Sequence, residues 1–176
     1  MQAINFLIDT LFGLFLMVVV LRFWLQAVRA DFYNPICQFI VKATNPVLKP
    51  LQLFLPSAGK FNVAALVLAV IVSFTKLIVL YLVNNQAPNP VTLLIVSLFD
   101  VAREFLNLAF WILIIRAILS WFSQGYNPAE MLLHQLTEPF LKPIRKLLPD
   151  MGGLDLSLLV AIIAIQFFKI LLSGSI

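Results

Sequence analysis

The stretch TEPFLKPIRKLLP, residues 137–149, is written once before in the same chain, as TNPVLKPLQLFLP at residues 44–56. Seven of the thirteen positions agree at an offset of 93 residues. The match extends outward at that offset: Asn34-Pro35 answers Asn127-Pro128, Gly59 answers Gly152, and Lys76 answers Lys169. Arg22 answers Arg116 with a one-residue adjustment. Self-similarity at a fixed offset marks a duplicated architecture, each copy being one supersecondary unit.

Composition sets the solvent of that unit. Of 176 residues, 62% are hydrophobic and only 11% charged, against about 25% charged in an ordinary soluble domain. Mean hydropathy is +1.02. Whole segments are apolar all round, as in a membrane span, rather than striped like a soluble amphipathic helix. A spanning helix needs about 20 mostly apolar residues, and residues 4–28, 61–83, 105–122 and 154–172 meet or approach this. The first lacks the basic start and small-residue cleavage site of a signal peptide and is read as a retained span.

The expected fold is therefore an all-α membrane protein. Four transmembrane helices form two parallel span–interfacial-helix–span repeats, with a pseudo-twofold axis along the membrane normal. Residues 1–83 make the first repeat, 84–104 a connector and 105–176 the second repeat. Within the connector, VTLLIVSLFDVARE is apolar but too short to span before Asp100. It suits a short interfacial helix or an extension of the third span.

Lysine and arginine fall mainly in the two repeated loops: Arg29, Lys42, Lys49 and Lys60 in one, Lys142, Arg145 and Lys146 in the other. Basic short loops stay cytoplasmic, which puts both repeated loops inside and both termini outside. The net charge of +4 sits beside hydrophobic spans, so it points to anionic lipid headgroups and not to nucleic acid.

Inside each loop, Asn127 and Pro128 supply an N-cap and a first helical residue, with Glu130 in the first turn; Asn34 and Pro35 do the same. Pro46 and Pro139 are expected to end that short helix, because proline disfavours helix in the residue before it. A second short helix then carries Pro50 or Pro143 in its first turn and stops at Pro56 or Pro149. In the second copy it sets Leu141, Ile144, Leu147 and Leu148 toward the acyl boundary and Lys142, Arg145 and Lys146 among phosphates. Each basic residue near an anionic surface contributes about 1 kcal/mol; Lys49 is the first-copy counterpart. A re-entrant hairpin is the rival reading of these loops, with basic groups that are costly to bury.

Charges also lie inside the spans, where a central ionisable residue costs about 2.5–3.5 kcal/mol. Arg22, Lys76, Arg116 and Lys169 can snorkel toward the headgroups, with Trp24 and Trp121 as interfacial anchors. Alternatively they pair: Asp9 with Lys76, Glu104 with Lys169, and Arg116 with Asp155, with Arg22 to Asp155 as a cross-copy option. His134 is expected to be solvated or structural, and Cys37 to be a small apolar residue. One cysteine and one histidine leave no disulfide, multi-cysteine metal site or histidine pair. No phosphate-binding glycine loop or nucleophile elbow is written either. A non-enzyme without metal or cofactor is expected.

The second-copy run TEPFLKPIRKLLPDMGGLDLSLLVAIIAI resembles the signature of the YggT family of small bacterial and plastid membrane proteins. Pro139, Pro143, Arg145, Leu148, Pro149, Gly152 and Asp155 carry the likeness. The first copy keeps Pro46, Pro50, Pro56 and Gly59 but has Gln52 for the arginine and Asn62 for the aspartate. The resemblance implies a bacterial inner-membrane protein, multi-pass and tandemly duplicated. It also implies a link to osmotic or ion tolerance and to membrane organisation, without established chemistry. Two functions remain open: a membrane organiser acting on lipid, on a membrane-protein partner or as a homo-oligomer, and a small ion channel or transporter with its pore between protomers.

Overall fold

The computed structural model describes residues 1–55, 61–87, 89–122, 127–147 and 156–174, with 120–122 as backbone alone. Among these residues six helices follow one another: α1 (Gln2–Ala27), α2 (Pro35–Phe54), α3 (Val63–Val83), α4 (Pro90–Phe122), α5 (Pro128–Leu147) and α6 (Leu156–Ser173). Among the described residues there is no strand element, so the all-helical expectation holds. Among the described residues three helices, α1, α3 and α6, are long and apolar enough to cross a membrane. Much of their outward surface is apolar: Leu11, Leu82 and Phe167 are more than half exposed, as suits a lipid-facing surface.

The duplication is visible in the packing. In the first repeat α1, α2 and α3 touch one another pairwise, and α4, α5 and α6 do so in the second. Helices α1 and α3 pack on each other, and Ala64, Ala65 and Ala69 of α3 are buried in one cluster with Leu16, Val20 and Leu25 of α1; small residues let helix axes approach. Amides pin the pair at both ends. Asn62, the N-cap of α3, donates to Gln26 Oε1 at 2.8 Å, and Asn5 and Asn84 exchange hydrogen bonds at 3.2 and 3.3 Å.

Helix α1 ends in a Schellman motif, with the N–H of Ala30 donating to the carbonyl of Leu25 and that of Arg29 to Gln26. Its left-handed residue is Arg29, φ 54°, where glycine is usual. The side chain costs about 1–2 kcal/mol there. The matching position after α3 is Asn85, φ 53°, a residue that tolerates the left-handed region better.

One expectation about local structure is corrected and another is decided. The proline loops do not break into pairs of short helices: α2 and α5 are each continuous over 20 residues, with Pro46 and Pro50, or Pro139 and Pro143, inside. The four-residue spacing explains this. Both rings and both missing N–H groups fall on one face, turned outward, while Thr44, Leu48, Thr137 and Leu141 are buried on the other. Carbonyls freed on the outer face can meet water or headgroups there. The buried threonines bond back one turn, Thr44 to Ile40 and Thr137 to Leu133, both at 2.7 Å.

The structure also decides between the two readings of residues 90–104. They form no separate interfacial helix but extend the third span, as the first part of α4, an unbroken helix of 33 residues, roughly 50 Å long. That exceeds a hydrocarbon core of about 30 Å. Helix α4 serves both repeats: it packs on α1 and α3 as well as on α5 and α6. Pro56, Gly59, Lys60, Leu148, Pro149, Gly152 and Asp155, named from the sequence, lie outside the described residues.

Candidate functional site

Asp100, Arg103, Glu104 and Asn107 recur at helical spacing and so share one face of α4. The flanking helices supply cations to this stripe. Lys76 Nζ on α3 lies 2.7 Å from Asp100 Oδ2, and Ser73 Oγ donates to the same oxygen at 2.6 Å. Lys169 Nζ on α6 donates to Asn107 Oδ1 at 3.1 Å and sits 4.8 Å from the centre of the Phe110 ring. Arg103 Nη2 donates to the Leu172 carbonyl at 2.7 Å, satisfying a backbone acceptor at the end of α6. Glu104 stands between, within coulombic reach of Asp100, Lys76 and Lys169.

The expected pairs are thereby replaced. Lys76 takes Asp100 and not Asp9, which is exposed on α1. Lys169 gives its hydrogen bond to Asn107 instead of Glu104. The first change follows from α4 running unbroken through residues 90–104, which sets Asp100 against α3. The partner expected for Arg116, Asp155, lies outside the described residues.

Among the described residues, Arg116 meets α5. Its Nη1 donates to the Thr137 hydroxyl, and its Nη2 is 3.8 Å from Glu138 Oε2. Glu138 gathers further cations: Arg145 Nη1 donates to both carboxylate oxygens at 3.0 and 3.2 Å. His134 Nε2 lies 3.4 Å from Oε2, an ion pair only when the ring is protonated. Arg145, expected among phosphates, is thus engaged within the protein. In the first copy Asn45, Gln52 and Val41 stand where Glu138, Arg145 and His134 stand. The equivalent arginine, Arg22, lies over the Phe32 ring at 5.6 Å, and its Nε and Nη1 are buried without a hydrogen-bond partner. No sequence signal short of aligning the two copies finds this difference.

The outer faces of α2 and α5 keep Lys42, Lys49, Lys142 and Lys146 exposed. Beside them Phe39, Leu53, Phe54 and Leu147 are also exposed. Leu141, expected at the acyl boundary, is instead fully buried with Leu113 and Ala161. Trp24, expected as an interfacial anchor, is 2% exposed and packs on Phe105 and Phe140; the Trp121 side chain lies outside the description. Cys37 is wholly buried. Burial pushes its thiol above the ordinary range, Asp31 adds to the rise, and Arg22 opposes it.

The caps form as the sequence predicts. Asn34 Oδ1 accepts from the N–H of Ile36 at 2.9 Å and Asn127 Oδ1 from Ala129 at 3.0 Å. Asn34 also donates to the Pro128 carbonyl at 2.7 Å, and the N–H of Asp31 donates to Gln135 Oε1 at 3.1 Å. The first loop is therefore docked on the first turns of α5. Among the described residues no three His, Cys, Asp or Glu side chains come together to hold a metal ion.

A family model described as CCB3/YggT matches residues 1–83 and 95–176. A Vibrio alginolyticus protein, described as an uncharacterised protein in the proC 3′ region, is 49% identical over 174 residues, 98% of this chain and 94% of its own. The Escherichia coli K12 protein described as uncharacterised protein YggT is 42% identical over 163 residues, 93% of this chain and 85% of its own. An uncharacterised Porphyra purpurea protein, ycf19, is 29% identical over 92 residues, 51% of this chain but 93% of its own. No solved structure matches.

Proposed function

The chain belongs to the CCB3/YggT family, and on that premise we propose that it is a non-enzymatic membrane organiser. In this reading α1, α3, α4 and α6 cross the bacterial inner membrane. Helices α2 and α5 lie on its cytoplasmic surface, and both termini are outside. The observation that carries it is the two-sidedness of α2 and α5. Their apolar faces are packed on the spans, while Lys42, Lys49, Lys142 and Lys146 point away from the protein. Cations held at that level attract anionic headgroups at about 1 kcal/mol each and enrich such lipids around the protein or around a partner assembled on it. Replacing the four lysines by glutamine tests this in nanodiscs of mixed anionic and zwitterionic lipid. Anionic spin-labelled lipid immobilised at the protein surface should fall markedly toward the zwitterionic level; an unchanged fraction overturns the reading.

A second reading rests on the α4 stripe, whose Asp100, Glu104, Lys76 and Lys169 place ionisable groups among apolar helices, a common mark of ion paths. Such a path would run between protomers and would connect the chain to ion tolerance. Flux from reconstituted vesicles no greater than from empty ones, or indifferent to Glu104→Gln and Lys169→Gln, counts against it.

A further inference from the structure

Three hollows meet at Phe105. The largest, about 580 Å³, is lined by apolar side chains of α1, α3, α4 and α6 that include Leu106 and Phe168. The next, about 270 Å³, shares Phe105, Leu106 and Phe168 and is walled by Trp24 and Phe140. The third, about 450 Å³, shares Trp24, Phe105 and Phe140 and has the exposed Arg29 in its wall. Together they make one trough between the repeats, apolar along its length and cationic at one end.

Two polar groups stand out along it. Trp24 borders both smaller hollows, is 2% exposed, and has its Nε1–H buried without an acceptor. A buried indole N–H ordinarily finds a partner. Arg29 is held in the left-handed region, and its guanidinium suits a phosphate better than any other side chain does. The occupant must then be apolar for most of its length, offer an acceptor near Trp24 and end in an anion at Arg29. Water is disfavoured by the apolar walls.

We propose that this trough binds one acyl chain of an anionic phospholipid. The lipid phosphate sits at Arg29, and the indole of Trp24 donates to an ester carbonyl. The proposal goes beyond the lysine faces of α2 and α5 and needs only that α1, α3 and α6 be membrane spans.

The test leaves Trp24 as the sole indole by Trp111→Phe and Trp121→Phe, the other two of three tryptophans. Its fluorescence is followed in vesicles of phosphatidylcholine doped with phospholipid brominated on the acyl chain. Brominated phosphatidylglycerol should quench at a several-fold lower mole fraction than brominated phosphatidylcholine. Soluble glycerol phosphate should not compete, which separates a lipid from a free phosphate. Arg29→Gln should abolish the preference, and Arg29→Gly should abolish it while raising thermal stability, which excludes misfolding as the cause. Ala164→Phe, in the wall of the middle hollow, should weaken quenching by both lipids. The four-lysine glutamine variant should leave the preference intact, so that failure here and failure of the organiser reading are told apart. Equal quenching by the two lipids, or a preference that survives Arg29→Gln, overturns the proposal.

Discussion

Lys76 and Lys169 hold equivalent places in the two repeats, yet both are bound by the same face of a single helix. Their acceptors, Asp100 and Asn107, stand two turns apart on α4, about 10 Å along its axis. One lysine has a carboxylate and the other an amide, so the two copies are tied to α4 with unequal strength.

The ion pair should show that inequality in stability. Asp100→Ala leaves Lys76, whose side chain is 12% exposed, as a buried cation without its carboxylate and should cost about 3 kcal/mol. Lys76→Met together with Asp100→Leu should recover most of the loss. Thermal unfolding of the two variants in one detergent gives the comparison; equal losses in single and double variants refute it.

Arg22 offers a gain instead of a loss. Asn45→Glu writes into the first copy the carboxylate that Glu138 provides in the second. If the copies superimpose here, it should stabilise the protein by roughly 1–2 kcal/mol through a charge-assisted bond. The same change in an Arg22→Met background should lose that gain; a gain that persists there refutes the pairing.

Cys37 should be slow to alkylate. The thiolate is the reactive form, and burial raises this thiol's pKa, so at pH 8 the folded protein holds less thiolate than the unfolded chain. Raising the pH should speed the reaction only beyond the ordinary thiol range. Maleimide labelling at pH 8 should run at least roughly tenfold slower in mild detergent than after unfolding; comparable rates refute the burial.

Topology is open to the same chemistry. With Cys37 replaced by alanine, a cysteine introduced at Ala87 should label from outside intact cells, and one at Lys146 only after the membrane is breached. The reverse pattern inverts the orientation.

Much of the fold was legible in the residues. The duplication, the asparagine caps and the apolar helices α1, α3 and α6 are local or periodic features, and these leave marks in sequence. The prolines misled because their effect depends on which face they occupy, and only the four-residue spacing between Pro46 and Pro50 hints at that. Lys76 pairs with Asp100 and not with Asp9 for a different reason. Pairing across helices depends on how far α4 slides along α3, and neither sequence fixes that register alone. Trp24 looked like a headgroup anchor because tryptophan near a span end usually is one. Its burial comes from Phe105 and Phe140, which lie far along the chain.

The reach of α4 changes what the duplication means. A chain cut in the 84–89 connection would carry Lys76 on one piece and Asp100 on the other. The two repeats are therefore not separable modules that happen to be fused. The inheritance is double, but the keystone is single, and the lysine of the first half is completed by a bond that half could not form from its own residues.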